Sequence, residues 1–386
     1  EAILTISFVG YQTLELPVNK RSVIDVQLEL DLEQLEEVVV VGYGSQRKSD
    51  LTGAIGVVDG EDIKDNPVQD PLAALQGRVP GLQITSTSGT PGAGFDVKIR
   101  GLNSFGSSSS PLYVIDGVLA SDISSINPSD IESVSVLKDA SSSAIYGARA
   151  ANGVIVITTK RGQKGERPQI TFNTYTGIQQ QSNLTVDLLN SDQWIELDKE
   201  SYENAGIALP YSDADLVQYD GINTDWLDVV TQLGKVNFYD LSLNGGSDQS
   251  TYFFSANYRN EEGIIKSTSA NRISLRLNSN HKITNFIELG ESLNVYNRNI
   301  SGNPNSSGIG GLPSTGGNNP YTRAIEKVPL SRPYEEDGSY GYIRNSTIEH
   351  RFLPPNVITN EYVNSTGING LIGNLFLNVN LLDGLK

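Results

Sequence analysis

The chain has 386 residues, more than one compact domain usually contains, so we expect at least two folding units. Its 45 Asp and Glu residues against 28 Lys and Arg residues give a net charge of −17, which argues against a nucleic-acid-binding protein. The sequence has no cysteine and only two histidines, His281 and His350, without metal-ligand spacing. These counts exclude disulfides and cysteine-ligated metals, and they argue against a zinc site or a histidine-based catalytic site.

Apolar residues never form a run of about 18, the length that a membrane-spanning helix needs. The most conspicuous apolar run, Val38–Val41, is far too short to span a bilayer. The strands of a membrane β-barrel would escape this test, because they alternate and leave a weak hydropathy signal. The chain starts at Glu1 within a strand-like pattern and without a signal peptide, so we expect the true N-terminus to be missing or processed.

Residues 1–31 have the pattern of short β-strands. Candidate strands are Leu4–Val9, Thr13–Pro17 and Ser22–Leu30, with a turn at Gly10. A segment of about thirty residues is too short to bury a core of its own. We therefore predict that it is the C-terminal part of a small β-sandwich domain.

Residues 32–49 differ in composition from both neighbours, which is typical of a linker. An acidic stretch ending at Glu37 is followed by the four β-branched residues Val38–Val41 and then by the flexible, basic segment Gly42–Lys48. A short extended segment on a flexible tether is suited to adding a strand to the sheet edge of a partner protein. An ordinary buried strand is the alternative interpretation of the valines.

Residues 50–165 mix short strands and helices, so we predict a small α+β domain. The segment Asp70–Gly77 indicates a capped helix, with Pro71 in its first turn and a glycine after its end. The loop Gly101–Ser110 is rich in Gly, Ser and Asn. Strands are predicted at Val97–Arg100, Pro111–Asp116, Ile131–Leu137 and Gly153–Lys160.

Residues 166–386 contain strands of about ten residues, each with one apolar face, close to the length that a tilted strand needs to cross the hydrocarbon layer. Short connections alternate with long ones, as in an outer-membrane barrel. A soluble β-sandwich also has alternating strands and remains the alternative from the pattern alone. The apolar faces are formed by Tyr252, Phe254, Ala256 and Tyr258, by Ile273, Leu275 and Leu277, and by Leu375, Leu377, Val379 and Leu381.

The opposite faces of these strands are polar. We expect them to line a path for a hydrated, largely uncharged ligand. Glu291 is an exception to the pattern, because it interrupts the apolar face of its own strand. The expected lining residues are Ser242, Asn244, Ser255, Asn257, Arg259 and Asn278.

The most specific segment of the chain is Leu137–Gly162, with the sequence LKDASSSAIYGARAANGVIVITTKRG. It closely resembles the end of the plug domain in SusC-like TonB-dependent transporters of Bacteroidetes. Three further segments resemble the same family in the family's order. Phe8–Tyr11 is similar to its carboxypeptidase-regulatory-like domain, Glu36–Gly44 to its TonB-box region, and Asn223–Trp226 to the start of its barrel.

The resemblance implies a fold class and a domain organisation. We expect a mainly β protein, in which a transmembrane antiparallel β-barrel of 22 strands encloses an α+β plug domain. About six of the strands fall within this chain, so we expect the chain to be incomplete. The implied domains are 1–31 for the end of a carboxypeptidase-regulatory-like β-sandwich, 32–49 for the TonB-box linker, 50–165 for the plug and 166–386 for the first barrel strands and loops.

The resemblance also implies a function, namely TonB-dependent active import of a nutrient, with oligosaccharides as the leading cargo, across the outer membrane of a Bacteroidetes-like Gram-negative cell. The implied partners are TonB with ExbB and ExbD in the periplasm, a SusD-like surface lipoprotein, the oligosaccharide or peptide ligand, and outer-membrane lipid. No cofactor is implied. The alternatives are an oligopeptide importer of the same family and, in a different class, a surface receptor or adhesin that does not transport.

Two segments supply candidate site residues. The resemblance assigns the TonB box to Glu36, Glu37, Val38, Val39, Val40, Val41 and Gly42. The second segment is the loop Arg100–Ser107. Its amide and hydroxyl groups and its one aromatic ring suit the recognition of a sugar or peptide, and a solvated, disordered loop is the alternative interpretation. The substrate-binding candidates at the plug apex are Arg100, Asn103, Ser104 and Phe105.

No catalytic or metal site is predicted. The glycines of Gly42–Gly44 and Gly92–Gly94 lack the spacing of a nucleotide-binding motif. The aspartates between Asp213 and Asp228 lack the spacing of a calcium-binding EF-hand loop, so a solvated extracellular loop is favoured. The serines of Ser107–Ser110 do not form a nucleophile elbow. We therefore expect that the protein is not an enzyme.

Overall fold

The computed structural model describes most of the chain after residue 53 and short pieces before it. The described residues are 3–6, 14–17, 24, 26, 38–41, 44–47, 54–64, 70–102, 109–182, 187–302, 319–341, 348, 354–361 and 364–379. None of the helices in these ranges is long and apolar enough to cross a membrane.

Two small antiparallel hairpins lie in the first part of the chain. Their strands are β1 (Ile3–Ile6) with β2 (Leu14–Pro17), and β3 (Val38–Val41) with β4 (Gly44–Arg47). Within the third strand predicted for this region, only residues 24 and 26 are described, and neither belongs to a strand.

The next part of the chain, here called the central domain, is built on a five-stranded mixed sheet. Its elements are β5 (Ile55–Asp59), α1 (Gly60–Lys64), α2 (Pro71–Leu75), β6 (Leu82–Ser86), β7 (Phe95–Ile99), β8 (Leu112–Ile115), β9 (Val118–Ala120), β10 (Ile131–Leu137), α3 (Ala140–Ser143) and β11 (Val154–Thr159). The sheet order is β5–β10–β11–β8–β9, with β8 parallel to β11, and β6 and β7 form a separate hairpin.

The core of the central domain forms where the sequence predicts strands and a helix. Helix α2 begins at Pro71 because the Asp70 carboxylate accepts a hydrogen bond from the backbone N–H of Leu72 at 2.8 Å. Its buried side packs into a cluster with strand residues such as Ile115 and Ile157, which are fully buried. Strand β10 has the predicted bounds, and β7, β8 and β11 agree with their predicted bounds to within two residues, whereas β5, β6 and β9 were not predicted.

The last part of the chain forms one six-stranded antiparallel sheet, here called the strand wall. Its elements and the helices of its connections are β12 (Gln169–Gln179), α4 (Ser191–Ala205), α5 (Asp213–Leu216), α6 (Trp226–Val230), β13 (Gly234–Gly246), β14 (Ser250–Glu262), β15 (Ser269–Lys282), β16 (Ile287–Gly302), α7 (Pro320–Glu326), α8 (Pro355–Glu361) and β17 (Asn364–Val379). The strands pair in chain order, so the expected fold class, with about six barrel strands, is confirmed. Leu381, predicted for the last strand, lies outside the described residues.

The connections at the two ends of the strand wall are unequal. Residues 247–249 and 283–286 form short turns at one end, here called the turn end. At the other end, here called the loop end, residues 180–233 and 303–363 connect β12 to β13 and β16 to β17. Short turns on one side and long loops on the other are characteristic of outer-membrane barrels.

Helices in the described parts of these long loops pack against one another. The indole Nε1 of Trp226 donates a hydrogen bond to the carbonyl oxygen of Val328 at 3.0 Å, and Trp226 is buried with Ala324 of α7. Asp225 starts α6 by accepting hydrogen bonds from two backbone N–H groups of its first turn. Asp225, which belongs to the predicted solvated loop, therefore has a structural role. Within the described residues, no group of three or more His, Cys, Asp or Glu side chains could hold a metal ion.

Candidate functional site

The two faces of the strand wall have the reverse polarity of a soluble sheet. On β15, Ile273 and Leu275 are exposed on the outer face, whereas Ser274 and Arg276, which alternate with them, are each only 1% exposed on the inner face. An outward apolar face is expected where lipid replaces water as the surrounding solvent. Further exposed apolar residues on this outer face are Ile170, Phe172, Ile178, Tyr239, Leu241, Phe254, Tyr258, Leu277, Val295, Leu371, Leu375 and Leu377.

Polar side chains limit this apolar face at both ends. Near the loop end, Asn299 donates a side-chain hydrogen bond to Asn271 of the neighbouring strand at 3.2 Å. Near the turn end, the Ser279 hydroxyl donates to the Glu291 carboxylate. Glu291, which interrupts the predicted apolar pattern, is thus paired with a polar neighbour in its own sheet.

The inner face of the strand wall carries the central domain, and a buried ion-pair cluster joins them. Arg276 of β15 lies 3.2 Å from a carboxylate oxygen of Asp116 and 3.6 Å from one of Asp130. All three side chains are at most 3% exposed. Burial raises the pKa of Asp130, and the Arg276 charge opposes that rise.

Asp116 is the residue on which most of these contacts converge. Its carboxylate accepts hydrogen bonds from the backbone N–H and the hydroxyl of Thr159, at 3.0 and 2.7 Å, and from the hydroxyl of Ser292 on β16, at 3.0 Å. It adopts a left-handed backbone conformation with φ of 47°, at the turn between β8 and β9. Asn374 of β17 donates to its backbone carbonyl at 2.7 Å. One turn residue of the central domain thus contacts three strands of the wall.

Further polar residues of the inner face bind the central domain directly. Asn278 donates to the hydroxyl of Thr159 at 2.8 Å and to the carbonyl oxygen of Lys160 at 2.7 Å. Asp240 accepts a hydrogen bond from Asn127 at 2.8 Å. The prediction that these faces line an open ligand path is therefore not met for Asn278, because the central domain occupies the space in front of it.

A second contact region lies nearer the loop end. Arg272 of β15 donates to the carbonyl oxygens of Ser124 and Ile126, at 2.7 and 3.2 Å. Arg298 of β16 donates to the Ser124 hydroxyl at 2.7 Å and to the carbonyl oxygen of Gly92. A Cβ atom at Gly92 would lie 3.0 Å from the side chain at position 270, so this part of the central domain fits closely under the strand ends.

The sequence-predicted TonB box is only partly described. Its valines form strand β3, which pairs antiparallel with Gly44–Arg47, so that Val39 lies opposite Gln46. Glu36, Glu37 and Gly42 lie outside the described residues. The coupling role of this segment stays a prediction.

Of the predicted plug-apex residues, only Arg100 is described, and Asn103, Ser104 and Phe105 lie outside the described residues. Arg100 is exposed, has φ of 57°, and pairs through its guanidinium with Asp139. A hydrogen bond from the backbone N–H of Ala54, together with Arg100, lowers the pKa of Asp139. The contacts described for Arg100 lie within the central domain, and its role in ligand binding stays a prediction.

The sequence analysis missed the residues that join the two domains, namely Asp116, Asp130 and Arg276. A signal for one of them was present, because Arg276 stands between the apolar residues Leu275 and Leu277 in a strand of strict alternation. A charged residue on the inner face of such a strand indicates a buried partner. The partner itself was not recognisable, since Asp116 lies 160 residues earlier in the chain.

Comparison with known proteins identifies the family. Residues 47–154 match the TonB-dependent Receptor Plug Domain. The chain is 39% identical to the TonB-dependent receptor P26 of Formosa agariphila over 88% of this chain and 33% of that protein. It is 37% identical to the TonB-dependent receptor SusC of Bacteroides thetaiotaomicron over 72% of this chain and 27% of that protein.

Solved structures agree with the sequence relatives. The RagAB peptide importer in its closed-closed state matches with a TM-score of 0.63 and 30% identity, over 77% of this chain and 36% of that chain. This chain therefore spans about a third of the length of the proteins it matches. These relatives are receptors and transporters, which agrees with the expectation that the protein is not an enzyme. The central domain is thus a plug domain, and the chain belongs to the SusC-like TonB-dependent receptors of the Gram-negative outer membrane.

Proposed function

We propose that the protein imports a nutrient across the outer membrane and that TonB supplies the force for each transport cycle. The observation that carries this proposal is the buried pairing of Arg276 with Asp116 and Asp130. A plug held to the wall by buried charges closes the path at rest and requires work to move, because separating such a pair leaves uncompensated charge in a poorly hydrated place.

The TonB box is the point at which we expect that work to enter. An outer membrane has no ATP, so a periplasmic protein energised at the inner membrane, TonB with ExbB and ExbD, is the partner that fits. Residues Glu36–Gly42 would bind it by strand addition, in which backbone hydrogen bonds carry the load. Among the described residues, Val38–Val41 pair with β4 alone, and we propose that their other backbone edge receives such a partner.

The domain assignment belongs to the same proposal. Residues 1–31 would be the end of a carboxypeptidase-regulatory-like domain, 32–49 the linker with the TonB box, 50–165 the plug and 166–386 barrel strands and loops. A SusD-like surface lipoprotein would cover the loop end of the wall, where the long connections are.

Oligosaccharides are the cargo that we propose first, with oligopeptides as the second candidate. A cavity of about 1120 Å³ between the long loops is lined by amide, hydroxyl, indole, carboxylate and apolar groups. Its amide and hydroxyl groups can bind the hydroxyls of a sugar or the backbone of a peptide. The 30% identity to the RagAB peptide importer is the reason that oligopeptides are kept as the second candidate. Residues lining the cavity include Asn190, Trp194, Asn223 and Thr224.

Deleting Glu37–Gly42 from the full-length protein tests the proposal. Uptake of the cognate nutrient should fall to background, while ligand binding at the cell surface remains, because the deleted segment precedes the plug in the chain and the ligand is expected to bind at the loop end. Normal uptake by the deletion strain would refute the energy coupling proposed for this segment. Surface binding without any uptake in the unmodified strain would favour the receptor or adhesin.

A further inference from the structure

Three arginines stand side by side on the inner face of the strand wall. Arg259 of β14 lies directly opposite Arg272 of β15, which lies directly opposite Arg298 of β16. We call these residues the arginine row. Like charges directly opposite each other on neighbouring strands repel, so such a row needs partners that hold it in place.

The plug supplies most of these partners through its backbone. Arg272 and Arg298 donate to three plug carbonyl oxygens and to the hydroxyl of Ser124. Arg259 instead bonds within the wall, to the hydroxyl of Tyr175 and to Glu261 at 3.4 Å. Neutral carbonyl groups satisfy the hydrogen-bond donors of a guanidinium but leave its charge uncompensated.

A cavity of about 40 Å³ opens beside the arginine row at its plug side. That space accommodates roughly two or three water-sized groups, the size of a carboxylate. Its lining has the three arginines against two acidic residues, Asp70 and Glu261. Arg298, unlike the other two arginines that line this cavity, is only half-buried.

Two hydrogen-bond donors of the arginine row have no acceptor in the described part of the chain, which indicates that a ligand supplies one beside this cavity. The Nε atoms of Arg259 and Arg272 are buried and have no hydrogen-bond partner among the described residues. The two side chains are only 8% and 7% exposed. A buried guanidinium N–H without an acceptor is costly, and a carboxylate oxygen is the acceptor that a guanidinium fork binds most strongly.

We propose that the arginine row binds a carboxylate group of the cargo, so that the transported ligand is an anionic oligomer. This inference rests on the proposed import function and specifies its substrate class. The cavity and the unpartnered Nε atoms exist with the plug docked, so the carboxylate binds there before TonB acts.

This inference revises the expectation of an uncharged ligand. That expectation considered Arg259 alone among otherwise neutral residues. Only the register of β14, β15 and β16 places Arg272 and Arg298 in the same row.

Calorimetric titration of the purified full-length protein, without TonB, tests the proposal. The probes are trigalacturonate against neutral galactotriose, and a triaspartate peptide against triasparagine. We expect one of the two acidic probes to bind at least about tenfold more tightly than its neutral counterpart. A preference for trigalacturonate would identify an acidic glycan as the cargo, and a preference for triaspartate would identify an acidic peptide. The variant R259Q/R272Q/R298Q should lose that preference and retain the affinity for the neutral probe.

Two further variants keep the result interpretable. Arg298→Gln alone removes the half-buried member of the row and should lower the affinity for the acidic probe even if the triple variant does not fold. Lys199→Gln removes a positive charge from α4, outside the cavity, and should change neither affinity. Equal binding of acidic and neutral probes, no binding of the acidic probes, or an unchanged preference in R298Q would overturn the proposal. Because the titration measures binding alone, its failure leaves the import function to be decided by uptake.

Discussion

Arg276 of the wall and Asp116 of the plug form a buried ion pair at 3.2 Å across 160 residues of sequence. The pair joins the middle of β15 to the turn that follows β8, and Thr159 and Ser292 complete the hydrogen bonding of the Asp116 carboxylate. A second carboxylate, that of Asp130, shares the same guanidinium. At this point of the docking surface, one arginine thus supplies the positive charge that faces two buried acids.

Replacing Arg276 with methionine should loosen the plug. Two buried carboxylates would lose their counter-charge, and breaking a buried pair in this way costs about 3–5 kcal/mol. We expect faster hydrogen exchange in the amides of β8 and β11 in the full-length protein. The control is Lys199→Met, which removes an exposed ion pair with Asp213 and should leave that exchange unchanged. Unchanged exchange in R276M would mean that the plug is held by other contacts.

The pH dependence of stability should carry a contribution from Asp130. Burial raises the pKa of Asp130 above its ordinary value of 3.8, so the folded state holds this proton more tightly than the unfolded state. The associated stability is present below pH 3.8 and is lost as the pH rises through the folded-state pKa. In Asp130→Asn, this loss should be absent when denaturation midpoints are compared across acidic and neutral pH. A variant that loses stability with pH as the unmodified protein does would contradict this.

Asp139 should contribute to the pH dependence of stability with the sign opposite to that of Asp130. Hydrogen bonds from Ala54 and Arg100 lower the pKa of Asp139 below its ordinary value of 3.8. Its stabilising effect is therefore present above that value and is lost as the pH falls through the lowered pKa. Asp139→Asn should be less stable than the unmodified protein at neutral pH and should approach it in acid. The same set of denaturation midpoints measures both effects, and a neutral-pH midpoint equal to that of the unmodified protein would count against the prediction.

On the outer face of the wall, we expect the free-energy cost of introducing a charged residue to depend on how far the position lies from the ends of the strands. Leu275 lies in the middle of the exposed apolar stretch of β15, whereas Asn271 lies near the loop end. Leu275→Arg should destabilise the barrel by about 2–4 kcal/mol, and Asn271→Arg by about 0–1 kcal/mol. Unfolding in lipid vesicles, followed by the mobility of folded and unfolded forms on a gel, measures the difference. Equal costs at the two positions would argue that this face is not in contact with lipid.

Val39→Pro should uncouple uptake from binding without any deletion. Proline removes a backbone N–H donor and fixes φ, so the residue can no longer serve as a central position of an added strand. Nutrient uptake should fall to background while surface binding stays normal. The matched control Val39→Thr keeps the donor and the β-branched side chain and should transport normally. Uptake by V39P at the rate of V39T would show that strand addition at this position is not needed.

Local sequence determined the strands, the helix α2 and the polarity of the wall. Alternation with a period of two is a property of neighbouring residues, so Ile273, Leu275 and Leu277 predict one apolar face whatever lies beyond the strand. The start of α2 is equally local, because Asp70 caps a backbone N–H two residues away. The resemblance of Leu137–Gly162 to plug domains added the family, which alternation alone would have left open between a barrel and a sandwich.

Only the tertiary structure decided what the polar face touches. A polar inner residue has the same local pattern whether it faces water, a ligand or another domain, so the sequence could not distinguish a lined path from the packed contact of Asn278 with Thr159. The partner of Arg276 and the alignment of Arg272 with Arg298 depend on docking and on strand register. Strand register is fixed by the pairing of whole strands, and docking is fixed by contacts between residues far apart in the chain. Neither can therefore be predicted from the residues next to the arginines in the sequence.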